Sequence, residues 1–226
     1  MVGIIQEQHP DRARLFMQWQ QMDWPVLVDA LNLLGISAVP TTFLIDEFGV
    51  IQKINPQRSN ADSEMQEFLA IKGENPTNNL SESENGHLVN SEHTAIEHAN
   101  QLILWDNPKG IAAAISAYKK ALSENPNSGP LHFRLGVAYR MQYDFLSHQF
   151  EDFQAAVENW VKALEIDPNQ YIWRRRIQQY GPRLDKPYPF YDWVPKARRE
   201  IKERGERPVE LLVEPGGAEY ARPVRQ

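Results

Sequence analysis

Cysteine is absent from all 226 residues. Disulfides, thiolate catalysis and cysteine-bound metal are therefore excluded for the chain as it stands. Long apolar runs are missing too: nothing approaches the roughly 20 consecutive apolar residues of a membrane-spanning helix. Met1-Val2-Gly3-Ile4-Ile5 is apolar but stops at Gln6, with no charged region ahead of it, so it does not read as a signal peptide. Positive charge is in deficit. The net charge is −6, whereas a nucleic-acid binder carries a basic face. A soluble chain without nucleic-acid partner or membrane span is expected, in a compartment these absences leave open. What is present suits a protein that buries a core: 42% hydrophobic residues, six Trp, eight Tyr and nine Phe. The length accommodates one large domain or two small ones.

Along the chain, Val2–Gln6 reads as a short buried strand. His9-Pro10-Asp11 opens a helix with Asp11 as N-cap, carried on by Ala13, Phe16, Met17 and Gln20 at helical spacing. Pro25 ends it, and Val26-Leu27-Val28 is a second strand. Ala30–Leu34 forms a helical turn that stops at Gly35. Thr41–Asp46, a Glu47-Phe48-Gly49 turn and Val50–Ile54 make a β-hairpin. Asp62 or Ser63 caps a helix bearing Met65, Phe68, Leu69 and Ile71. Residues 73–91 are dominated by Asn, Ser, Glu, Thr and Gly and read as a flexible linker. Asn79-Leu80-Ser81 within it is formally a glycosylation sequon.

The run Trp24-Pro25-Val26-Leu27-Val28-Asp29 followed by Gly35 through Gly49 resembles the substrate-facing half of a thioredoxin-fold protein of the TlpA/redoxin type. The resemblance spans Val2 to about Ile71. It implies a cis Val39-Pro40 peptide bond, with Val39, Pro40 and Thr41 as substrate-binding residues that align a protein or peptide substrate strand. It also implies a strand and a helix carrying Cys-x-x-Cys, or a selenocysteine, ahead of Val2. Neither is in this chain, so an N-terminally truncated sequence is expected, through a late start codon or an in-frame stop read as selenocysteine.

From Glu92 onward the period is helical. Ala114-Ile115-x-x-Tyr118-x-x-Ala121-Leu122-x-x-x-Pro126 and Ala156-Val157-x-x-Trp160-x-x-Ala163-Leu164-x-x-x-Pro168 repeat at identical spacing, with Leu131-x-x-x-Leu135-Gly136-x-Ala138-Tyr139 between them. This pattern resembles the tetratricopeptide repeat. There, small residues let paired helices approach, aromatics fill the gap and Pro ends the helix. About eight extra residues near Phe145–Asp152 make the second copy irregular. Residues 181–226 are rich in Pro and aromatics, with a short basic helix at Pro195–Arg204 and a candidate edge strand at Val209–Val213.

Other constellations read as structural. His93 and His98 are five apart, off the i, i+4 spacing of metal pairs. His132 reads as a packing residue. Asp29 reads as a helix cap and Asp46 as a turn former. Arg174-Arg175-Arg176 and Lys196-Ala197-Arg198-Arg199 read as solvated helix faces. Trp105, Trp160, Trp173 and Trp193 read as core or repeat-interface residues. Gly216-Gly217 is a turn signal, not a phosphate loop.

The expected architecture is an α/β thioredoxin-like module, incomplete at its N-terminus (1–72), a linker (73–91), an all-α TPR-like helical region (92–180) and a Pro/aromatic-rich extension (181–226). No catalytic, cofactor-binding or metal residue is expected in the chain. Two functions stand open. One is a thiol or selenol oxidoreductase whose redox residue lies upstream, with a TPR partner-binding region. The other is a non-enzymatic TPR-type interaction scaffold.

Overall fold

The computed structural model describes residues 1–7, 9–56, 58–71, 91–105, 108–178, 191–212 and 214. The linker up to Asn90, with its sequon, and Gly216-Gly217 lie outside them. The chain divides into two compact units, residues 1–37 with 92–226, and residues 38–91.

In the larger unit, β1 (Gly3–Ile5) and β2 (Val26–Val28) pair in parallel, Ile4 opposite Leu27, and α1 (Pro10–Gln20) is the crossover between them. Pro10 sits at the first helical positions, where its missing N–H costs nothing. His9 is the N-cap residue, not Asp11 as expected. Asp11 is instead buried one residue into the helix, where its carboxylate accepts the Leu212 N–H at 2.6 Å. After β2, Asp29 holds a tight turn. Its carboxylate accepts the N–H groups of Leu33 (2.8 Å) and Leu34 (3.2 Å), but the expected helical turn Ala30–Leu34 does not form, so Asp29 closes a turn rather than capping a helix. Gly35 follows at φ +62°, a left-handed position that favours glycine.

Helices then take over: α3 (Ser91–Trp105), α4 (Ile111–Glu124), α5 (Gly129–Gln142), α6 (Phe150–Ile166), α7 (Tyr171–Gln178) and α8 (Trp193–Glu203). A π-helical turn at Tyr143–Ser147 takes up the extra residues between α5 and α6. Helix α5 is buried almost all round, from Leu131 and Phe133 to Ala138 and Met141, as a central helix must be. It packs on both α4 and α6. The core runs through Ala114, Tyr118 and Ala121 of α4 and Ala156, Trp160 and Ala163 of α6, every one buried. Gly136 is what lets α5 and α6 meet. The Trp160 indole lies over it and donates from Nε1 to the Phe133 carbonyl at 3.2 Å. Trp173 stacks on Phe133 at 5.8 Å. Trp105, by contrast, is 83% exposed and belongs to no core.

A second cluster joins the two ends of this unit. Leu15 of α1 is fully buried against Val194 and Ile201 of α8. Trp19 stacks on Trp193 at 5.8 Å, with Phe16 edge-on to both. Val209–Leu212 runs alongside α1 without strand pairing, so the expected edge strand does not form. Its Val209 N–H bonds to the Gln18 side chain. Leu15→Ala is expected to lower stability by about 3 kcal/mol through lost burial and a residual cavity. Urea unfolding monitored by tryptophan fluorescence measures it.

The smaller unit holds β3 (Phe43–Ile45), β4 (Ile51–Ile54) and α2 (Ala61–Ala70). The hairpin is antiparallel, Phe43 opposite Ile54, with an irregularity between Leu44 and Ile45. Asp46 forms its turn by accepting the N–H groups of Phe48 and Val50, both at 2.9 Å. Helix α2 starts after a 3-10 turn, with Asn60 as cap residue rather than Asp62 or Ser63.

The expected α/β thioredoxin-like module is therefore corrected. Among the described residues, four strands of three or four residues form two separate two-stranded sheets, and helices dominate. The physical reason lies in what is buried. A continuous sheet covers its strands, yet Ile4, Leu27, Ile45 and Ile54 are all 40% exposed or more. The apolar residues that follow β2, Ala30 and Leu31, pack instead into the helical core.

Candidate functional site

Val39, Pro40 and Thr41 lie just ahead of β3 in the smaller unit. Val39 and Pro40 are exposed and the bond between them is cis. Thr41 Oγ1 donates to the Ala38 carbonyl at 2.8 Å. The three residues form a surface turn without a titratable group bonded to it among the described residues.

The larger unit holds a buried polar cluster where the chain start meets the end of α5. The Asp144 carboxylate, on the π-helical turn, faces His9 Nε2 at 2.8 Å and Arg140 Nε at 3.0 Å from both oxygens. Side-chain exposure is 3% for His9, 1% for Asp144 and 0% for Arg140. Burial pushes the Asp144 carboxyl up, but the His9 hydrogen bond and the Arg140 charge outweigh it and hold the group below the usual carboxylate range. Glu7 sits alongside and accepts from Tyr191 Oη at 2.6 Å and from the His9 N–H at 3.2 Å. Arg12 lies over the Tyr191 ring at 4.4 Å. Burial again opposes ionisation of Glu7, and His9, Arg12 and Arg176 together reverse it, leaving the carboxyl well below its ordinary value. A His–Asp pair is the orienting half of many catalytic sites. This one is sealed from solvent, so no substrate atom reaches it. Its effect is to latch residues 7–12 onto the end of α5.

Two open features border the helical core. Between α4 and α6 runs an open groove lined by half-buried Leu122, exposed Pro126 and Ile166, and the exposed charged residues Lys119, Lys162 and Glu165. His132 stands at its base, Nδ1 3.0 Å from Asn159 Oδ1 and Nε2 3.0 Å from the Pro126 carbonyl. That is the packing role read from the sequence. The second feature is a cavity of about 390 Å³ beside the turn that follows β2. It is bounded by Leu31, Asn32 and Gly35 on one side and by Gly129, Arg134 and Trp173 on the other. Burial lowers the Arg134 pKa, against the opposing influence of Tyr118 and Asp29.

The basic run of α7 is split by its helix face. Arg174 and Arg175 are exposed, as expected, while Arg176 is 5% exposed and bonds to the carbonyls of Gln6 and Ala30, both at 3.3 Å. The run in α8 splits likewise: Lys196 and Arg199 are exposed, Arg198 pairs with Glu214 and Ala197 is buried. Sequence reading missed Glu7, Arg12, Arg134, Arg140, Asp144 and Arg176. The signal for Arg140 was present, since it falls on the apolar side of a helix buried all round.

Among the described residues, no three His, Asp or Glu groups are placed to hold a metal ion, and no helix is long and apolar enough to cross a membrane. Comparison with family models, curated proteins and solved structures finds no match to this chain.

Proposed function

We propose that this protein is a non-enzymatic interaction scaffold of the tetratricopeptide type, whose helical hairpins hold a peptide segment of a partner protein. The observation that carries the reading is the packing of α4, α5 and α6. The repeated small–aromatic–small pattern is spent wholly on helix pairing, with Ala114/Tyr118/Ala121 and Ala156/Trp160/Ala163 buried at equivalent positions. That packing leaves an open groove between two helices. Thiol or selenol chemistry has no residue in this chain to carry it, and the one His–Asp pair described above is sealed.

The lining of the groove supports one class of ligand. Leu122, Pro126 and Ile166 offer apolar contact to a leucine-sized side chain, and Lys119 and Lys162 favour carboxylates. The fitting occupant is a short peptide with acidic residues flanking an apolar anchor. Fluorescence anisotropy with a panel of labelled 12-residue peptides tests this. Acidic–leucine peptides are expected to bind in the micromolar range. Lys119→Glu with Lys162→Glu, both at exposed positions, is expected to weaken them at least tenfold with the helical circular dichroism unchanged. Binding indifferent to this charge reversal, or confined to basic peptides, would contradict the reading.

A further inference from the structure

The face of α5 and α7 is already occupied, and by this chain. Residues 29–37 follow β2 without regular helix or strand and lie against the two helices. Their side-chain anchor is Leu31, 1% exposed in the helical core. Their main chain is gripped by carbonyl recognition. Arg176 donates to the Ala30 carbonyl at 3.3 Å and Arg134 Nε to the Leu31 carbonyl at 3.4 Å. The first N–H of α7, on Tyr171, donates to the Ser37 carbonyl at 3.0 Å. The Asp29 carboxylate closes the turn by accepting the N–H groups of Leu33 and Leu34, and it also accepts from Gln6 Nε2 at 3.0 Å.

We propose that residues 29–37 are an in-chain ligand of the α5–α7 face, displaced by a partner segment of the same chemistry, acidic–small–leucine, in a self-capped turn. The inference rests on reading the helices as a peptide-holding scaffold, and it concerns a face separate from the Lys119/Lys162 groove. Three observations make the segment a ligand rather than ordinary core. Its grip falls on backbone carbonyls, which any sequence supplies. Its next two apolar residues, Leu33 and Leu34, stay 41% and 48% exposed, so Leu31 is the one large side chain fully inserted, beside the small Ala30. The fit is also incomplete. A cavity of about 390 Å³ remains beside Leu31 and Asn32, and the buried indole N–H of Trp173, which borders it, has no acceptor among the described residues. A partner with a bulkier side chain or a carbonyl at that place would fill what the in-chain segment leaves empty. The latch of His9 on Asp144 holds residues 7–12 to the far end of α5, which keeps the segment at high local concentration while it exchanges.

A labelled synthetic peptide with the sequence of residues 29–37 is the probe, and the full-length protein is the receptor. Leu31→Ser weakens the in-chain anchor without altering either helix. The peptide is expected to bind Leu31→Ser at least tenfold more tightly than wild type, and to lose that gain when Arg134→Ala is added. No binding to Leu31→Ser with helical circular dichroism retained would overturn the proposal. Hydrogen exchange of the wild-type protein tests it without any variant. Amides of residues 29–37 are expected to open separately from those of α5 and α7. Opening as one unit with α5 would make the segment core and end the proposal. Peptide binding here, with failure of acidic peptides at Lys119 and Lys162, would remove the groove reading alone. The reverse pattern would remove this inference alone.

Discussion

Gly136→Ala is expected to destabilise the protein by about 3 kcal/mol, close to the upper end for overpacking a core. A Cβ at this position would lie 2.5 Å from Trp160 Cδ1 and 2.9 Å from the Ala156 carbonyl oxygen. Neither atom can yield cheaply. Trp160 is fully buried and its Nε1 is held by the Phe133 carbonyl, and Ala156 O is backbone of the facing helix. The methyl therefore pushes α5 and α6 apart along the most extensive helix–helix contact among the described residues. Trp160→Leu in the same background removes the ring that the methyl meets. The double variant is expected to be less destabilised than the sum of the two single variants, because the clash and the aromatic are one interaction. Chemical denaturation of the four proteins of this cycle measures the coupling. Strict additivity would show that Gly136 and Trp160 do not depend on each other.

Removing Asp144 should be as costly. Asp144→Ala leaves the Arg140 guanidinium fully buried without its carboxylate, and breaking a buried pair from one side typically costs about 3–5 kcal/mol. Arg140→Met is expected to cost less, since His9 still bonds to the carboxylate and the methionine fills much of the volume. The same cluster sets an acid limit. Asp144 and Glu7 both have folded-state pKa values below those of the unfolded chain, about 4 for such groups. Their contribution is therefore complete above that unfolded value, and it is lost as pH falls through the lower folded values. Stability measured by urea denaturation is expected to be level from pH 7 to about pH 5 as far as these two groups are concerned, and to fall below about pH 4. Asp144→Ala is expected to flatten part of that fall. An acid limb of the same slope in the variant would show that Asp144 is not among the groups that set it.

Local patterns made the hairpin legible. Asp46, with Gly49 three residues on, specifies its turn within five residues of chain, and β-branched residues flank it. The helices from Glu92 onward were legible for the same reason, since a 3.6-residue period and the recurring Ala–aromatic–Ala spacing need no distant information. The local role of Asp29 was legible because its partners, Leu33 and Leu34, are four and five residues away, but the helix it was expected to cap does not form. The polar cluster was not legible. His9 and Asp144 are 135 residues apart, and no spacing rule joins residues at that distance. Arg176 was hidden by its neighbours. Three consecutive arginines look solvated, yet a helix turns about 100° per residue, and one of the three faces the core. The sheet was misjudged for a related reason. Val26-Leu27-Val28 and the Phe43–Ile45 part of Thr41–Asp46 have strand chemistry and do form strands, but strand chemistry alone does not say which strands pair. The packing of Ala30 and Leu31 on α5 and α7 decided where the first of them went. The groove rims carried no signal, because isolated exposed lysines on helices are ordinary.

The most direct measurement is an NMR titration of the isotope-labelled full-length protein with an acidic–leucine 12-residue peptide. The account expects shift changes concentrated at Lys119, Leu122, His132, Lys162 and Ile166, saturating with a single Kd, and absent in the Lys119→Glu, Lys162→Glu protein. Shifts confined to the 38–71 hairpin unit, or spread evenly over the surface without saturation, would contradict the claim that the α4–α6 helices are the peptide-holding part of this molecule.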